Sequence, residues 1–120
     1  MTGKTLGDPQ EIVLREYGQL RGEQVQVFQG WQLTRVLGDV GLANEVPQCV
    51  IYLTTDGKIV VALGDVLPEE DLEPGGIEFP LIGVVTTWEE AHDWGLGNAP
   101  VRWVFQKAWS EARAAVGEKD

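Results

Sequence analysis

The chain has 120 residues, of which 43% are hydrophobic, and its 19 acidic and 9 basic side chains give a formal net charge of −10. That length suits one domain, residues 1–120, with enough chain to bury a core unaided. The acidity argues against a direct nucleic-acid partner and against an anionic membrane surface, since both call for clustered Lys and Arg.

Other classes fall away on simpler grounds. No apolar run reaches the ~18–20 residues of a membrane span. The N-terminal segment lacks a basic start followed by an apolar stretch, so no secretory leader is expected. Cys49 is the single cysteine, which excludes an internal disulfide and points to a cytoplasmic location.

Residues 1–7 read as a loose terminus. Asp8-Pro9-Gln10-Glu11 carries a helix-start signal, with an acceptor cap and a proline in the first turn. Ile12 and Val13 are β-branched, however, and Gly18 and Gly22 interrupt the segment. Residues 9–20 therefore fit either a helix or a strand entering a turn, and strand is favoured. Residues 24–37 are extended. Val25, Val27, Gln29, Trp31, Leu33 and Leu37 share one face under a period of two, with Phe28 and Val36 as exceptions. The far end also fits a helical stripe.

Residues 48–64 give the firmest local signal. Two β-rich runs flank Thr55-Asp56-Gly57, and Asp-Gly marks a hairpin turn. The runs are almost continuously apolar, as in a central hairpin covered on both faces. Residues 65–80 hold three Pro and two Gly and read as a long acidic loop. Residues 81–85 form a further short strand. Thr87-Trp88-Glu89-Glu90 is a capping box that starts a short helix, expected to stop near Trp94 before Gly95 and Gly97. Asn98-Ala99-Pro100 opens a second helix. Its apolar stripe runs through Val101, Val104, Phe105, Ala108, Ala112, Ala115 and Val116, and residues 117–120 are a polar, flexible tail.

The expected class is α+β, an antiparallel β-meander of about four to five strands with the short helix and the C-terminal amphipathic helix packed on one face. The other face needs a cover: the long loop, the short helix or a second copy of the chain.

The charge is concentrated. Between Lys58 and Arg102 stand nine acids (Asp65, Glu69, Glu70, Asp71, Glu73, Glu78, Glu89, Glu90, Asp93) and no Lys or Arg. Such a block serves either as a solvated, solubilising surface or as a docking surface for a basic partner. Phosphate-binding glycine motifs are absent, and Gly75-Gly76 is flanked by acids that would repel phosphate. A structural zinc site would need more than Cys49 and His92. Cys49, inside the apolar hairpin, reads as a small buried hydrophobe.

The one cluster with catalytic character is Glu89, Glu90, His92 and Asp93. Helical spacing puts Glu89, His92 and Asp93 on one side, where they would form a metal site if brought together. The plainer reading is a capping Glu with carboxylates that suit the helix dipole. Trp31, Trp88, Trp94 and Trp109 fit the core or its edge. Trp103 falls opposite the apolar stripe, so it either packs under the preceding loop or stands out as an aromatic anchor of the kind that dominates interface hot spots.

The leading expectation is a small acidic protein-binding module, not an enzyme and without a cofactor, that engages a basic protein surface. Glu69, Glu70, Asp71 and Glu73 would steer and pair, and Trp88, Trp94 and Trp103 would supply buried area. Antitoxins, immunity proteins and enzyme inhibitors provide the analogy. The alternatives are a metal-dependent enzyme using Glu89, Glu90, His92 and Asp93, and a structural homodimer subunit.

Overall fold

The hairpin marked by Asp56-Gly57 is the centre of the molecule. The computed structural model describes residues 7–18, 22–39, 46–66, 78–79, 81–99 and 101–117. Strands β3 (Val46–Thr54) and β4 (Ile59–Val66) pair antiparallel across the turn. Gly57 has φ 89°, a left-handed value that glycine takes at little cost. Thr54 locks the turn: its hydroxyl donates to the Asp56 carboxylate and accepts from the Lys58 backbone N–H at 2.8 Å.

Around this hairpin the chain adds β1 (Gln10–Gly18), β2 (Gly22–Leu37), β5 (Glu78–Phe79), β6 (Leu81–Val85), α1 (Trp88–Asn98) and α2 (Arg102–Ala115). The strand order is β5-β1-β2-β3-β4-β6. Neighbours are antiparallel except β1 and β5, which are parallel. β5 and β6 lie at opposite edges of that order, yet one residue separates them in sequence. Two peptide steps span at most about 7 Å. The two edges must therefore meet, and the sheet curls round on itself.

The curl pivots on Gly30, whose partners are Gln10 in β1 and Thr54 in β3. Before it, β2 pairs with β1; after it, β2 pairs with β3. A Cβ on Gly30 would penetrate the Leu53 carbonyl and lie 3.0 Å from Thr54 Cα. Only a glycine lets the backbones approach that closely at a sheet corner.

The curled sheet has two cores. On its convex side Cys49, Ile51, Val61 and Leu63 pack against Val104, Phe105, Ala108 and Ala112 of α2 and Ala91 of α1. On its concave side Val50, Tyr52, Val60 and Ala62 pack against Ile12 and Leu14 of β1, with Phe28 and Ile82 at the edge. Each of these larger apolar side chains contributes about 1.5–3 kcal/mol by burial. The second face of the hairpin thus has its cover in the chain's own first strand, which none of the three expected covers anticipated. Residues 10–18 are strand because Ile12 and Leu14 alternate into this core, overriding the helix-start signal before them.

Two further expectations are corrected. The register of β2 against β3 shifts between Gln32 and Thr34, a bulge that adds one residue to one strand. Parity reverses there: Val36, opposite Cys49, is buried, and Leu37, opposite Gln48, is 44% exposed. Helix α1 also runs on to Asn98 rather than stopping near Trp94. Gly95 is a contact point, since a Cβ there would overlap the ring of Phe105. Asn98 Nδ2 donates to the Trp94 carbonyl at 2.7 Å and closes the helix end. Among the described residues no helix is long and apolar enough to cross a membrane.

Candidate functional site

Two polar regions stand out. The first is the outer face of α1, whose start is built by its sequence. Thr87 caps the helix, accepting from the Glu90 N–H at 3.0 Å. The Glu90 carboxylate reaches back and accepts from the Thr86 N–H at 3.2 Å, the Thr86 hydroxyl at 2.6 Å and the Thr87 hydroxyl at 3.4 Å. The threonine hydrogen bonds, those from Thr86 foremost, hold the Glu90 carboxyl below its ordinary range. Glu89, Glu90 and Asp93 are all exposed, an acidic surface at a positive helix end.

This geometry does not assemble the metal-enzyme alternative. Glu90 is committed to the cap. His92 turns toward α2, with its ring centroid 4.6 Å from Trp109 and 6.0 Å from Phe105. Among the described residues no three His, Cys, Asp or Glu side chains come together as a metal-holding group. Cys49 is fully buried, and burial pushes its thiol up to about 12. It is a core residue without nucleophilic character at neutral pH.

The tryptophans divide by position. Trp88 and Trp94 are half-buried and pack against the convex core. The Trp88 carbonyl accepts from Trp109 Nε1 at 2.9 Å, and the Arg113 guanidinium sits 4.5 Å over the Trp109 ring. The Trp94 indole lies flat on Gly83 of β6. Trp103 is 46% exposed, on the outer side of α2 with Gln106, Ser110 and Ala114. Glu69, Glu70, Asp71 and Glu73 lie outside the described residues.

The second region was not anticipated. On the concave side Arg35 stands opposite Val50, between Gln48 and Tyr52 of β3. Arg35 Nε donates to Gln48 Oε1 at 3.4 Å, which orients the amide and leaves its NH2 group pointing away. Gln48 is 2% exposed and Tyr52 is fully buried. Arg35 Nη2, Gln48 Nε2 and the Tyr52 hydroxyl are buried with no hydrogen-bond partner. Each such unmade bond costs about 1–3 kcal/mol. Burial lowers the Arg35 pKa and raises that of Tyr52, while the guanidinium acts in the opposite direction on the phenol. The ring of Tyr52 meets Phe28 edge to face at 5.8 Å.

A polar signal for this cluster exists in the sequence: Gln48 and Tyr52, four residues apart on a strand, share one face of an otherwise apolar run. Arg35 gives no such signal, because the bulge decides its face. Comparison of the chain with protein-family models, with curated proteins and with solved structures finds no match.

Proposed function

We propose that the chain is a small acidic protein-binding module that engages a basic surface on a protein partner, in the manner of an antitoxin, an immunity protein or an enzyme inhibitor. One observation carries this reading: nine acids and no Lys or Arg between Lys58 and Arg102. A surface of one sign steers a cationic partner and raises its association rate. Glu89 and Asp93 belong to this surface and stand exposed on α1. Glu69, Glu70, Asp71 and Glu73 are assigned the pairing role on composition.

Anchoring area is assigned first to Trp103, the most exposed tryptophan of α2, because a half-exposed indole offers large apolar area at small entropic cost. Trp88 and Trp94 retain only the edges that the fold leaves free.

Affinity capture tests the reading. The chain and a variant carrying Glu69→Gln, Glu70→Gln, Asp71→Asn and Glu73→Gln are each used as bait, washed at low and at high salt. The reading requires a partner that elutes with salt and that the variant fails to retain. Identical retention by both baits, or no salt-sensitive partner, contradicts it.

A further inference from the structure

We propose that Arg35, Gln48 and Tyr52 form a binding site for a small carboxylate inside the curl of the sheet. Each free position offers a donor: a guanidinium N–H, an amide N–H and a phenolic O–H, of which only the phenol can also accept. Gln48 and Tyr52 are 2% and 0% exposed, and the Gln48 Nε2 group and the Tyr52 hydroxyl lack a partner in the protein. Buried donors of this kind are normally matched by an acceptor.

The chemistry narrows the acceptor. The buried Nη2 of the Arg35 guanidinium calls for a negative group, and together with Gln48 Nε2 it offers one donor to each oxygen of a carboxylate. With a net charge of −10 on the chain, a monoanion is tolerated better than a phosphate dianion. Arg35 Nη2 and Gln48 Nε2 would take the carboxylate oxygens, with the Tyr52 hydroxyl donating to the same group. Access runs along Arg35, which is only half-buried, beside Leu37, which shares its face and is 44% exposed. Val50, Phe28 and Leu14 close the inner side, so an acid with a short apolar tail fits better than a polar one. This site is independent of the acidic surface and serves a different ligand.

The test is an NMR titration of the full chain with acetate at constant ionic strength, reading the Gln48 side-chain amide and the Arg35 Nε–H, with chloride and inorganic phosphate as separate arms. The expected result is a saturable shift of both signals with acetate and none with chloride. Tyr52→Phe and Arg35→Lys should each weaken acetate roughly tenfold or more, the loss of one hydrogen bond to a charged group. Tyr52→Phe keeps the ring against Phe28, and its backbone spectrum reports whether the fold is intact. Absence of a saturable shift up to about 0.1 M acetate, where even a millimolar site would fill, overturns the site. Binding of phosphate as tight as or tighter than acetate overturns the carboxylate assignment.

Discussion

Gly83 lies beneath the indole of Trp94, so close that a Cβ on Gly83 would stand 2.6 Å from Trp94 Cδ2. Helix α1 is seated on β6 through this contact, and the acidic face of α1 is aimed by it. Gly83→Ala is expected to destabilise the chain by about 1–3 kcal/mol, the usual range for overpacking. Gly97, on the same helix, meets open space. Gly97→Ala should raise stability by about 0.4–1 kcal/mol by restricting the unfolded chain. Urea denaturation of the two variants against the wild type measures both.

Thr87 closes the N-terminus of α1 through Glu90 N–H. Thr87→Ala should cost about 1 kcal/mol, as for other lost caps. Glu90 has its pKa lowered in the folded state by the Thr86 and Thr87 hydrogen bonds. Its contribution is therefore present above the unfolded carboxyl value and is lost as the pH falls toward the lower folded value. Glu90→Gln should flatten the acid limb of a stability profile.

Burial raises the Cys49 thiol from its ordinary 9.0 to about 12. The unfolded chain then loses this proton first as the pH rises. Stability should fall between pH 9 and 12 by about 1.4 kcal/mol per unit for this one group. Tyr52, raised by burial in the same way, adds to the fall above pH 10. Cys49→Ala should remove the part that begins near pH 9. In the native state the thiol should resist alkylation, reacting only at the rate of opening.

The Tyr52 hydroxyl is buried and unpartnered, so removing it removes a cost as well as an atom. Tyr52→Phe should leave the unliganded stability unchanged within about 1 kcal/mol, or raise it. Phe28→Ala, which empties the space against Tyr52, should lose about 3 kcal/mol or somewhat less because Phe28 is partly exposed. Paired thermal melts separate the two outcomes.

The parts of the fold readable from the residues are those set by neighbours in sequence. Gly57 and Asp56 specify the hairpin, Thr87 and Glu90 the start of α1, and the spacing of Val104, Phe105, Ala108 and Ala112 the buried face of α2. The curl is not readable in this way. It depends on Gly30 meeting the Leu53 carbonyl across the sheet, and on β5 reaching β1, neither of which leaves a periodic trace. The same holds for the concave cluster. A strict period of two groups Arg35 with Leu33, whereas the bulge between Gln32 and Thr34 sends Arg35 to the concave side beside Gln48. The acidic surface is readable because it is a matter of composition, and its members Glu89, Glu90 and Asp93 are exposed on α1.

The proposed role of this acidity is to steer a basic protein partner. Its most direct test is the association rate constant of the captured partner, measured by stopped flow across a salt series for the wild type and for the variant with Glu69, Glu70, Asp71 and Glu73 neutralised. For the wild type the rate should fall steeply with salt, and for the variant it should be slower and depend on salt less. Equal rates for the two proteins with no salt dependence would contradict it.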